Sequence, residues 1–282
     1  VGKSDSGFCS DLRRRISSFV DNMFGDDTTT PHGTRHSYKK VSMSVGGHRH
    51  AVRGEGPVVG EARSVAPFDR LRSSLMTDVD IRVGPSLHVE VRAQKNLLKY
   101  VETTVKDGEL VLSMRSGSFT SMTSIMVVVT MPNLAALHLT GHGDAVVNGV
   151  RTVYFQAHHS GMGNLTIHGT AQTIDLDLSG HGNVVFLGIA ADDLNLRHSG
   201  TGALRMSGTA RRVKLDGSGH GRLSLGELVV ENVELTHRGM GDLDLNANGT
   251  VTGSASGHGD IRVQGRASWR VRHTGMGNVS FR

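Results

Sequence analysis

A Gly-x-Gly triplet returns eight times in the second half of the chain, its first glycines at Gly141, Gly161, Gly180, Gly200, Gly219, Gly239, Gly257 and Gly275. The intervals are 20, 19, 20, 19, 20, 18 and 18 residues. A fixed period of this size is the mark of a solenoid, in which one repeat cannot bury its own apolar face and must stack on the next. One repeat, 173–188, reads TIDLDLSGHGNVVFLG. Ile174, Leu176 and Leu178 alternate with polar residues, the period of a strand with one buried face. Ser179-Gly180-His181-Gly182-Asn183 then supplies a turn, on the expectation that its glycines take positive φ. Val184 and Phe186 resume the alternation, and Gly188 turns the chain again.

No window from Gly141 onward carries the 3.6-residue period of a helix. Two or three short strands per rung describe a parallel β-helix with rungs about 4.8 Å apart. A β-propeller with two triplets per blade is the alternative by length, but aromatics make up only 4% of the chain and the blade signatures are missing. The triplets are therefore expected to stack in one column along the axis.

Residues 8–24, FCSDLRRRISSFVDNMF, place Phe8, Leu12, Ile16, Phe19, Val20 and Met23 on one face, with Ser10 as N-cap. This amphipathic helix is expected to cover an open end of the solenoid or to lie on a membrane surface. Residues 25–40 read as a polar linker, so that 1–40 stand apart from a β-helix domain over 41–282. Within it, 41–134 are expected to form irregular, wider first rungs, with Asp107-Gly108 as a hairpin turn, and 135–282 the regular repeats.

The irregular half also carries a resemblance. GEGPVVGEARSVAPFDRLRSSLMTDVDIRVG, NLLKYVETTVKDGELVLSM and VVVTMPNLAALHLTGHGD, in that order, resemble the head GIN domain family, labelled putative autotransporter adhesins. The resemblance runs from about Gly54 to Arg282. It implies a right-handed, single-stranded parallel β-helix, a cell-envelope, periplasmic or secreted setting, and no established catalytic residues. The chain departs from that family in the middle of the triplet, where a serine or similarly small residue is usual.

Here the middle residues are His142, Met162, His181, Thr201, His220, Met240, His258 and Met276. Two positions before each triplet the order is complementary: Leu139, His159, Leu178, His198, Gly217, His237, Ala255 and His273. Counting by twos from Ile174 points the upstream column inward and the middle residues outward. His159, His198, His237 and His273 are thus expected to be buried, and His142, His181, His220 and His258 exposed. Three roles stay open for them: packing against neighbouring Met or small side chains, a metal site, or a binding face that gains charge in mild acid. Histidines two rungs apart are about 9.6 Å apart and cannot share a zinc ion.

Asp144, Asn164, Asn183, Asp242, Asp260 and Asn278 follow the triplets and are expected to hydrogen-bond their own turns. A calcium β-roll needs a nine-residue period, half of what is seen. No helix follows any triplet, so none is a nucleotide fingerprint. Asp175 and Asp177 share a strand face without a matching acid or base on neighbouring rungs. The single Cys9 rules out an internal disulfide and a Cys-based zinc site. A net charge of +5, from 31 basic and 26 acidic residues, is a mixed surface rather than a nucleic-acid stripe. No apolar run of about 18 residues is present, and Val1 opens the chain without a signal-like segment.

These features point to a non-catalytic envelope or secreted binding protein, with no cofactor, whose outward ladder meets an anionic envelope polymer or another envelope protein. A polysaccharide lyase or hydrolase on the same scaffold is the first alternative, and a His/Met-rich metal-binding protein the second. An enzyme would break its repeat to gather acids, bases or ligands in a groove.

Overall fold

The computed structural model describes residues 52–117 and 125–282, so the expected helix over 8–24 and the linker over 25–40 lie outside the described residues. In chain order the strands are β1 (Val58–Ala62), β2 (Arg70–Ser73), β3 (Asp78–Val83), β4 (His88–Gln94), β5 (Val101–Lys106), β6 (Glu109–Met114), β7 (Met126–Met131) and β8 (Ala136–Leu139). There follow β9 (Ala145–His159), β10 (Leu165–Leu178), β11 (Val184–His198), β12 (Leu204–Gly217), β13 (Leu223–His237), β14 (Leu243–Ala255), β15 (Ile261–Gln264), β16 (Ser268–His273) and β17 (Val279–Phe281). A 3-10 turn at Leu98–Tyr100 is the only helical element among the described residues.

From β8 onward each strand pairs in parallel with the strand about 20 residues away, which makes the molecule a β-solenoid. Leu165, Val184, Leu204, Leu223, Leu243, Ile261 and Val279 stand in one inward column. On the opposite wall Ile174, Leu194, Val213, Val233 and Val251 form a second. The two walls close on a continuous apolar core, in which Phe155 and Phe186 meet edge to face at 6.1 Å. Parallel stacking of successive repeats excludes the propeller.

The first rungs are built out of chain order rather than merely wider. β2 lies between β6 and β8, and β3 between β7 and β9, all in parallel. Residues 70–83 therefore form a rung sandwiched between β6 and β7 on one side and the first Gly-x-Gly rung on the other. The intervening chain adds β4 antiparallel to β7, β1 antiparallel to β4, and a β5–β6 hairpin. That hairpin turns at Asp107-Gly108, with φ of 49° and 74°, as the Asp-Gly pair requires.

Glycine does different work at the two corners of a rung. Gly149, Gly188 and Gly208 have φ of 84°, 73° and 126°, a conformation L side chains avoid. The triplet glycines are absent from the positive-φ residues, which corrects the expectation for that turn. They are required for space: a Cβ on Gly180 or Gly200 would strike the carbonyl oxygen of the first glycine one rung before, and one on Gly182 or Gly202 that of the second. The triplets stack backbone on backbone in one column, as their period predicted.

Candidate binding edge

Alternation continues unbroken through the triplet because its glycines stay out of the left-handed region. Ile174, Leu176, Leu178 and Gly180 are buried in turn, while Ser179 and His181 are exposed. The N–H of each middle residue donates to the carbonyl of the first glycine one rung before. His181 bonds Gly161 at 3.0 Å, His220 bonds Gly200 at 3.0 Å, Met240 bonds Gly219 at 3.0 Å and His258 bonds Gly239 at 3.0 Å. Sheet hydrogen bonding thus runs straight through the corner and holds the outward side chains in register. His142, Met162, His181, Thr201, His220, Met240, His258 and Met276 are all exposed, in one line.

The structure adds a residue that the triplet pattern hides. The N–H of His142 donates to Leu75 O at 3.1 Å, and Cβ atoms on Gly141 and Gly143 would meet Leu75 and Thr77. Leu75 and Thr77, both buried, take the two glycine places, and Met76 is the middle residue of the rung below His142. The edge therefore reads Met76, His142, Met162, His181, Thr201, His220, Met240, His258, Met276. Without glycines, only the spacing of Met76 from Asp78, matching that of His142 from Asp144, signals this place in the sequence. Beside the column runs a line of exposed hydroxyls, Thr140, Ser160, Ser179, Ser199, Ser218, Ser256 and Thr274, broken by Arg238.

The inward histidines do different work. His159, His198 and His237 are buried, as parity predicts. Their Nε2 atoms lie 2.7, 2.8 and 3.1 Å from the carbonyls of Gly163, Gly202 and Gly241 in their own turns. A carbonyl only accepts, so Nε2 carries the proton and donates. Burial lowers the pKa of all three below the ordinary imidazole value, and the bond to the glycine carbonyl only partly offsets it. The same rings reach the next rung: a Cβ on Gly180 or Gly219 would sit 2.7 Å from His159 Nδ1 or 2.8 Å from His198 Nδ1. Each of these two imidazoles fills the corner of two rungs, which explains the two-rung alternation. His273 departs from the expectation and is exposed, because no further strand stacks on β16 among the described residues.

The Asp/Asn line after the triplets also differs from expectation. Its side chains accept from the following rung, not from their own turn. Asp144 Oδ1 takes the N–H of Asn164 at 2.8 Å, Asn164 that of Asn183 at 3.0 Å, and Asn183 that of Ala203 at 2.9 Å. Asp242 and Asp260 repeat this further along. Burial pushes the Asp242 carboxyl up, but the Asp260 amide, Arg262 and Arg222 together hold it below its usual range. No group of three or more His, Cys, Asp or Glu placed to hold a metal occurs among the described residues.

The wall formed by 152–159 and its parallel partners carries a shallow depression of about 300 Å³ lined by Asp175, Asp177, Arg197, Lys214 and Asp216. Most of these charges are already engaged along the wall. Asp175 accepts from Tyr154 at 2.5 Å and Asn195 at 2.6 Å, His158 faces Asp177 at 3.5 Å, Arg238 pairs with Asp216 at 3.1 Å and Lys214 with Glu234 at 3.1 Å. This is a laced sheet face rather than acids and bases converging on one point.

The family described as "Putative auto-transporter adhesin, head GIN domain" matches residues 67–267. No curated protein matches the chain. Among solved structures, a putative adhesin from Parabacteroides distasonis is 23% identical, covering 82% of this chain and 100% of its own, with a TM-score of 0.76. A putative lipid binding protein from the same organism is 17% identical, covering 82% and 99%, also at 0.76. A putative adhesin from Parabacteroides merdae is 19% identical over 82% and 99%, at 0.74. At these identities the likeness is one of fold.

Proposed function

We propose, for a chain that belongs to the head GIN domain family of putative auto-transporter adhesins, a non-catalytic binding role at the cell envelope or outside the cell. The observation that carries this reading is the edge: one exposed side chain per rung, held at constant pitch by backbone bonds. Such an array matches a partner that is itself repetitive, a polymer or an extended protein segment. The mixed, internally paired wall at Asp175 and Lys214 favours binding over hydrolysis.

Histidine is the side chain that gains charge between pH 8 and 5. Four lie on the edge, where the neighbouring Arg222, Arg238 and Arg262 are paired with Asp242, Asp216 and Asp260. Protonation shifts the balance towards cation, so an anionic envelope polymer is the partner class proposed. The test is a binding titration with a polyanionic glycan at pH 7 and pH 5, comparing wild type with the quadruple variant His142→Gln, His181→Gln, His220→Gln, His258→Gln. Wild type is expected to tighten on the order of tenfold on acidification, each exposed ion pair contributing modestly, and the variant to stay nearly flat. Identical pH profiles for the two proteins rule the edge out as the binding site.

A further inference from the structure

We infer that the edge is also a ladder of sites for a soft monovalent metal ion, copper(I), each ion held between the imidazole of one rung and the thioether of the next. Four of the large hydrophobic side chains that face solvent are methionines: Met76, Met162, Met240 and Met276, at 53%, 60%, 58% and 78% exposure. Every one of them stands in this single column. The other described methionines, Met114, Met126, Met131 and Met206, are buried or half-buried. Exposing a methionine forgoes the stabilisation of about 1.5–3 kcal/mol that burying it supplies. That four do so in one line, each next to a histidine, has no packing explanation.

The register makes the neighbours usable. Met162 sits between His142 and His181, and Met240 between His220 and His258, because the N–H of each middle residue bonds the rung before. Adjacent rungs are about 4.8 Å apart. First-row metal bonds of about 2.0 Å to imidazole nitrogen and 2.3 Å to sulfur span up to about 4.3 Å between the two donor atoms. A flexible thioether closes the remaining half ångström. Two histidines two rungs apart, at about 9.6 Å, do not share an ion, so each site pairs one histidine with the methionine of an adjacent rung.

The donor set selects the metal. Thioether sulfur favours copper(I), and imidazole accepts it. Calcium and magnesium need oxygen ligands, which histidine and methionine side chains lack, and zinc in a structural site takes four donors where each His/Met pair here offers two. Thr201, which has neither donor, divides the ladder into two blocks, Met76-His142-Met162-His181 and His220-Met240-His258-Met276. The pairs Met76/His142, Met162/His181, His220/Met240 and His258/Met276 set a capacity of one ion each. This inference is independent of polymer binding, which needs the imidazoles protonated where the metal needs them free.

The experiment is an anaerobic copper(I) titration of the untagged full chain against a chromophoric copper(I) chelator at pH 7. It is run on wild type and on the variant Met76→Leu, Met162→Leu, Met240→Leu, Met276→Leu, which keeps the apolar surface and loses the sulfur. Wild type is expected to withdraw about four equivalents, and the methionine variant to lose at least tenfold in affinity at every site. X-ray absorption of the loaded protein should show both sulfur and nitrogen in the copper shell. Circular dichroism checks that each variant remains folded. Equal copper uptake by wild type and the methionine variant, or a shell of nitrogen and oxygen alone, overturns the inference. Failure to bind a glycan leaves these readouts untouched.

Discussion

Changing Gly182 to alanine and, separately, Gly188 to alanine tests whether two glycines six residues apart serve different physical ends. A Cβ on Gly182 would collide with Gly163 O, lie 2.5 Å from Gly163 C and 3.0 Å from Met162 O. Ordinary contact begins near 3.4 Å, so the two rungs must part locally by about 1.5 Å. That stretch breaks the bonds crossing the same gap: His181 N–H to Gly161 O at 3.0 Å, Leu165 N–H to Asn183 O at 2.9 Å and Asn183 N–H to Asn164 Oδ1 at 3.0 Å. At about 1 kcal/mol each, the loss is about 3 kcal/mol. At Gly188 nothing lies within 4 Å of the added carbon, but φ is 73°. The cost there is the left-handed penalty alone, about 1–2 kcal/mol, and asparagine, which tolerates that region, should recover part of it. Guanidinium unfolding of Gly182→Ala, Gly188→Ala and Gly188→Asn gives the comparison. Gly182→Ala costing no more than Gly188→Ala would refute the claim that the triplet is glycine for want of space.

Acid should loosen the fold through the inward histidines. Their folded pKa lies below the unfolded value of about 6.5, so the unfolded chain binds more protons. Stability is then complete above about pH 6.5 and falls as pH drops through the lowered folded values. Each contributes a slope of at most about 1.4 kcal/mol per pH unit, about 4 for the three together, and unfolding free energies from pH 8 to pH 5 should show His198→Leu removing about a third of it; an unchanged slope counts against the assignment. Asn183→Ala withdraws the acceptor of the Ala203 N–H and should cost about 1–3 kcal/mol in chemical denaturation, whereas Asn195→Ala, on an exposed wall, should stay within about 0.5 kcal/mol.

The solenoid was legible because its cause is local and repeated. Ile174, Leu176 and Leu178 declare a strand, and the triplets declare where it turns. The outward column was legible too, since counting by twos holds when no glycine in the turn reverses the chain. Three things were not. Residues 70–83 stack on 109–114 and 126–131 although they precede them, and Met76 shares its column with His142, 66 positions further on; no alternation within a strand encodes which distant strand lies beside it. The reason for glycine in the triplet was misread, because close approach of a neighbouring rung leaves no mark in a single repeat. The Asn183 side chain likewise answers to a partner 20 residues on, where local turn chemistry suggested its own backbone.

Fastening and display fall to different atoms at the triplet corner. The N–H of the middle residue ties one rung to another, while its side chain stays exposed. The edge is in effect a ruler with exchangeable marks. Any residue except proline, which has no N–H to give, can be written at these places without disturbing the coil. A library varied only there would sample surface chemistry at a fixed pitch on an unchanged frame, so that differences in recognition among its members would report the marks and not the ruler.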